Sequence, residues 1–183
     1  MRGAENILTG DQSQDDLYQQ TARDYGSALE RLARAYEADP DRRRDLLQDI
    51  HLQLWRSFEL YDSRCSVRTW VYRVAHNVGA SYVMRERRIF LNLVSLEELE
   101  ALSDDSGGQV AADHRISVER LSALIQQLKP LDRQVIISYL EEMDAASIAE
   151  ITGLSPAAVA MRIHRIKGLL ARRFREGGNS DAG

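Results

Sequence analysis

The strongest constraint on the fold is the spacing of the apolar side chains. They recur every three or four residues, and strand-like alternation appears nowhere in the chain. Residues 22–38 carry Tyr25, Leu29, Leu32, Ala33 and Tyr36 at that spacing. A second stretch runs to about Glu59, with Leu46, Leu47, Ile50, Leu54 and Phe58 on one face. A third, from Val67 to about Arg88, has the inward stripe Val67, Val71, Val74 and Val78. Four shorter helices are predicted over residues 116–127, 131–140, 145–152 and 156–175. The spacing therefore predicts an all-α protein.

The breaks carry helix-end chemistry. Asp39 can cap the second helix while Pro40 takes its first position, where the missing N–H is harmless. Ser66 follows the polar turn Tyr61–Cys65 and is predicted to cap the third helix. Lys129-Pro130 separates the first pair of short helices. Gly153-Leu154-Ser155-Pro156 reads as a tight turn: a glycine C-cap, a serine N-cap and a proline at the first helical position.

Charge divides the chain in the same places. The total of 24 basic and 28 acidic residues gives −4, which by itself disfavours a nucleic-acid partner. The segments differ, however. Residues 1–20 sum to −3, 21–94 to +3, 95–119 to −6, 120–176 to +3, and the tail to −1. The expected organisation is a flexible acidic leader (1–20), a helical domain (21–90), a flexible acidic linker (91–115) containing Gly107-Gly108, a second helical domain (116–176) and a disordered tail (177–183).

Several function classes are disfavoured. Composition, at 44% hydrophobic and 28% charged residues, is that of a soluble globular protein. Cys65 is the one cysteine, so no internal disulfide forms, in keeping with a reducing cytoplasm. It can be read as a plain small residue or as a redox-sensitive one. His51, His76, His114 and His164 are scattered without cysteine partners, so no metal site is expected. No phosphate-binding glycine loop, nucleophile elbow or metalloprotease motif is present, so neither an enzyme nor a cofactor is expected. The N-terminal segment lacks the basic start and apolar block of a signal peptide. No apolar run approaches the roughly 20 residues of a membrane span.

Two segments carry nucleic-acid chemistry. Ser147 to Arg165 has helix-turn-helix spacing: Ile148 and Ile151 inward, Ala149 small at the crossing, and Gly153 at the turn. Leu154, Val159 and Ile163 would hold the second helix. Ser155, Ala157, Ala158, Met161, Arg162, His164 and Arg165 remain as candidate DNA-facing residues. In the third helix, Arg68, Trp70, Tyr72, Arg73, His76 and Asn77 mix aromatics, cations and an amide. Single-stranded DNA binding needs such stacking planes beside a cationic track. Trp70 reads as core ahead of a stacking platform. From the residues alone, a dimeric helix-turn-helix regulator and a helical adaptor that binds only protein also stay open.

Three stretches resemble bacterial extracytoplasmic-function (ECF) sigma factors of the sigma-70 family. Asp45 to Trp55 is similar to the core-polymerase-binding helix, Asp62 to Asn77 to the −10 recognition loop and helix, and Leu131 to Arg165 to the −35-binding domain. The resemblance implies an alternative sigma factor, with core RNA polymerase, promoter DNA and an anti-sigma factor as partners. Asp45, Gln48 and Asp49 would face polymerase. The loop Asp62, Ser63, Arg64, Cys65, Ser66 would hold a flipped −10 base. Arg68, Arg73, His76 and Asn77 would line the melted strand, and the helix from Pro156 would enter the −35 major groove. The acidic linker would mimic nucleic acid in a basic channel. Where many relatives carry Lys, Ser or Thr on the recognition helix, this chain has Ala158, Ala160 and Met161. That shifts the expected burden to Arg162, His164 and Arg165.

Overall fold

The computed structural model describes residues 5–87 and 114–179. All regular elements among them are helical, in agreement with the predicted class. The chain divides into two compact units, Met1–Arg85 and Glu86–Gly183. Most of the expected linker (91–115) lies outside the described residues, as do residues 1–4 and 180–183.

The first unit contains α1 (Glu5–Tyr36), α2 (Pro40–Ser57) with a 3-10 turn (Phe58–Leu60), and α3 (Val67–Arg87). Asp39 caps α2 as expected, its Oδ1 accepting from the amides of Asp41 at 3.0 Å and Arg42 at 2.9 Å. Ser66 caps α3, its Oγ accepting from the Thr69 amide at 3.0 Å. The core is the predicted one on α1 and α2: Leu29, Leu32, Ala33, Tyr36, Leu46, Ile50, Leu54 and Phe58 are buried.

Two expectations for this unit need correcting. Residues 5–20, expected to be a flexible leader, are the first turns of α1. Residues 14–18 dock on α2: Gln14 Nε2 donates to the Trp55 carbonyl at 2.6 Å, and Trp55 Nε1 donates to Asp15 Oδ1 at 2.7 Å. Tyr18 and His51 hydrogen-bond through Oη and Nδ1 at 3.1 Å. Over residues 14–21 the buried positions are Gln14 and Thr21, both polar, so no apolar stripe marks this stretch. The inward stripe of α3 is also rotated. Of Val67, Val71, Val74 and Val78 only Val71 is buried; Tyr72, Ala75, His76, Gly79, Tyr82 and Val83 form the core face instead.

The second unit contains α4 (His114–Gln127), α5 (Pro130–Leu140), α6 (Ala145–Thr152) and α7 (Pro156–Asn179). All three prolines of the chain thus begin helices. α7 runs to Asn179, into the segment expected to be a disordered tail. The core gathers Ile125, Leu128, Val135, Ile136, Ile148, Val159, Ile166 and Leu169. Arg133 is buried with them, its Nη2 donating to the carbonyls of Gln126 and Leu128. A guanidinium here satisfies carbonyls at the end of α4 that have no intrahelical donor.

Candidate nucleic-acid interface

On α2 the buried positions Leu46, Ile50 and Leu54 leave a solvent-facing stripe on the opposite side. That stripe carries Asp45, Gln48 and Asp49, all exposed. Leu52 continues it one turn further on and is 43% exposed. The sequence reading missed Leu52; its spacing of three and four from Asp49 and Gln48 was the available signal.

The loop before α3 is closed by local bonds. Tyr61 Oη donates to the Cys65 carbonyl at 2.8 Å. The Arg64 amide donates to Asp62 Oδ1 at 3.2 Å, and Arg64 Nε pairs with Asp62 Oδ2 at 2.9 Å. Ser63 sits at φ 61, in the left-handed region. Asp62, Ser63 and Arg64 are exposed. Ser66 is exposed too, but its hydroxyl is engaged at the α3 N-terminus with the Thr69 amide and, at 2.9 Å, with Thr69 Oγ1. It builds the loop's exit. Leu60, at 76% exposure, stands just before this loop and was also missed, because a lone leucine next to a turn carries no periodic signal.

Behind the loop lies an aromatic cluster. Tyr61 packs edge-on to Phe58 at 6.2 Å and tilted on Trp70 at 5.4 Å. Trp70 Nε1 donates to Ser57 Oγ at 2.9 Å, which fixes the indole against the end of α2. Trp70 is therefore half-buried scaffold for the loop.

α3 separates the four residues assigned to its DNA path. Asn77 is exposed, and Arg68 and Arg73 are half-buried, with the Arg68 guanidinium 6.0 Å from the Tyr72 ring centre. His76 is 0% exposed and cannot touch a strand in this conformation. Its Nδ1 is 3.0 Å from Tyr36 Oη, and the Tyr36 and Tyr72 rings flank it at 6.0 and 6.2 Å. Burial pushes its pKa down to about 3, so the ring is neutral. His51, half-buried beneath Tyr18, is also lowered by desolvation, with Glu30 opposing. The exposed side of α3 shares one cleft of about 490 Å³ with α2, lined by Asp49, Gln53, Ser57, Val74, Asn77, Val78, Ser81, Tyr82 and Arg85. The cleft brings Asp49 and Asn77, assigned to different partners, to one place.

In the second unit the turn follows the predicted chemistry. Asp144 caps α6, its Oδ1 accepting from the Ser147 amide at 2.7 Å. Gly153 has φ 74, and its amide donates to the Ala149 carbonyl at 2.9 Å. Ser155 Oγ accepts from the Ala158 amide at 3.2 Å and opens α7. Val159 is buried as expected, whereas Leu154 and Ile163 are half-exposed and Ile166 and Leu169 anchor the helix further along. Ser155, Ala157, Met161, His164 and Arg165 are exposed, and Ala158 is half-buried. Arg162 is half-exposed and tethered at its tip. Its Nη1 pairs with Oδ1 of the buried Asp132 on α5.

The geometry defines a two-unit helical protein whose second unit is a helix-turn-helix and whose first presents an acidic stripe beside an arginine- and amide-bearing helix. Residues 21–89 match the family model for sigma-70 region 2, and residues 118–170 match that for sigma-70 region 4. RNA polymerase sigma factor CnrH of Cupriavidus metallidurans is 31% identical over 159 residues, 80% of this chain and 81% of that one. ECF RNA polymerase sigma factor SigW of Bacillus subtilis is 26% identical, covering 72% and 75%. Among solved structures, CnrH in complex with the cytosolic domain of CnrY matches with TM-score 0.64 at 22% identity, over 92% of this chain and 94% of that one. RpoE of Bartonella quintana in complex with the anti-sigma factor NepR matches with TM-score 0.65 at 16% identity, over 86% and 96%. The chain belongs to the sigma-70 family of RNA polymerase sigma factors and is an ECF member of it. It is an alternative sigma factor, a transcription-initiation protein whose partners are core RNA polymerase and promoter DNA.

Proposed function

We propose a division of labour across the cleft between α2 and α3. Asp45, Gln48, Asp49 and Leu52 face polymerase, with Leu52 the apolar centre of an otherwise polar stripe. Asp62, Ser63 and Arg64 form the rim of a pocket for one −10 base, and Arg68, Arg73 and Asn77 guide the strand beside it. α7 enters the −35 major groove. The observation that carries this reading is that Asp49, at the edge of the exposed stripe of α2, and Asn77 on α3 line a single cleft. That arrangement suits a protein that melts DNA only where polymerase already sits.

As a sigma factor that acts with core RNA polymerase, the protein works in the cytoplasm without catalytic chemistry of its own. Residues 21–90 and 116–176 act as the two working domains, joined by the acidic segment 91–115. Of the two solved relatives, CnrH is bound to the cytosolic domain of CnrY and RpoE to the anti-sigma factor NepR. By extension, an anti-sigma factor would silence this chain by covering the α2 stripe.

Two substitutions separate the roles. Asp49→Arg should abolish co-elution with core polymerase. Asn77→Ala should co-elute normally and reduce promoter opening, read by permanganate reactivity of the −10 thymines, by about tenfold. Failure of both variants at the same step would contradict the division.

A further inference from the structure

The first two turns of α7 are the part of a helix-turn-helix that reaches base edges. Their exposed side chains are Pro156, Ala157, Ala160 and Met161, none of which carries a hydrogen-bonding group. The two polar neighbours are tethered within the unit: Ser155 Oγ accepts from the Ala158 amide at the start of α7, and Arg162 Nη1 pairs with the buried Asp132. The first exposed polar side chains after these are His164 and Arg165, in the third turn. Met161 is 71% exposed, a large apolar side chain on a helix otherwise rich in charge.

The charge of the helix names the occupant. Residues 156–175 contain six basic residues and no acidic one. A protein partner that covered Met161 would have to fit among those cations, whereas a DNA duplex supplies a phosphate on either side of its groove. Of the four bases only thymine offers an apolar group in the major groove, its C5-methyl. We propose that α7 reads the −35 duplex through thymine methyl groups, with Met161 as the principal contact and Ala157 beside it. The proposal rests on the sigma-factor reading and specifies the chemistry of its −35 site. Arg162 becomes a positioning residue that fixes α7 against α5.

Deoxyuridine tests this directly, because it pairs like thymine and lacks only the methyl. Holoenzyme is assembled from the full chain and core polymerase on a promoter that gives a run-off product. Each −35 thymine on either strand is then replaced singly by deoxyuridine. Removing one buried methyl should weaken holoenzyme binding about fourfold at one or two positions, and not at all in the spacer. Met161→Ala should make those positions indifferent to the replacement, and Met161→Leu should keep part of the sensitivity. The proposal is overturned if every replacement is silent with the wild-type protein. It is equally overturned if Met161→Ala leaves the sensitivity undiminished. Absence of a run-off product on every promoter would remove the sigma-factor reading itself.

Discussion

His76 shows how a single residue can look like a ligand and be a keystone. Its place among Arg73, Asn77 and aromatics suggests a DNA path, yet its ring lies between Tyr36 and Tyr72 and is fully buried. Chain position alone could not separate these roles, because α3 is rotated relative to its valine stripe. The pH consequence has a definite sign. The unfolded ring titrates near 6.5 and the folded one near 3, so between those values the unfolded state binds more protons. Stability is therefore fully present above about pH 6.5 and falls with pH, by up to about 1.4 kcal/mol per unit for one proton. Urea unfolding at stepped pH should show this slope in the wild type and lose it in His76→Phe, which is also less stable at neutral pH because Tyr36 loses its partner. Arg162 makes the complementary point. If it serves Asp132, Arg162→Met weakens −35 binding without changing the salt dependence, whereas loss of a phosphate contact lowers the slope by about 0.9. Arg162→Met should also destabilise the second unit by about 1–3 kcal/mol, reduced by the partial solvation of the arginine, and adding Asp132→Asn should restore part of the loss.

At the scale of elements, the helix ends were the most legible feature. Asp39-Pro40, Ser66 and Gly153-Leu154-Ser155-Pro156 each announce a boundary through a cap, and each boundary is found there. The docking of residues 14–18 was not legible, since it is made by hydrogen bonds from Gln14, Asp15 and Tyr18 to α2. This gives a direct prediction. Deleting residues 1–18 should lower the thermal midpoint and red-shift the fluorescence of Trp55, one of only two tryptophans, as its indole loses Asp15. A leader that merely hung free would leave both readings unchanged. The approach of α1 to α3 is set by Gly79, where an added Cβ would lie 2.8 Å from the Tyr36 ring. That ring is buried and held by His76, so it has little room to yield. Gly79→Ala should destabilise the first unit by about 1–3 kcal/mol in urea unfolding.

For the whole molecule, the net charge of −4 is a sum over unlike parts. The net negative charge lies at the start and in the connecting segment, and the two +3 blocks carry nearly all of the sigma-70 region 2 and region 4 matches. Such mild positive charge provides little non-specific affinity for DNA, because each phosphate neutralised adds only a modest, salt-sensitive increment. A protein built this way depends on polymerase to hold it at a promoter. The most direct test is reconstituted run-off transcription over a promoter library, with and without core polymerase. Discrete products that require both proteins, together with weak binding of the free chain to the same promoters, are the predicted result. Tight, sequence-specific duplex binding by the free chain, unchanged by polymerase and without any product, would contradict it.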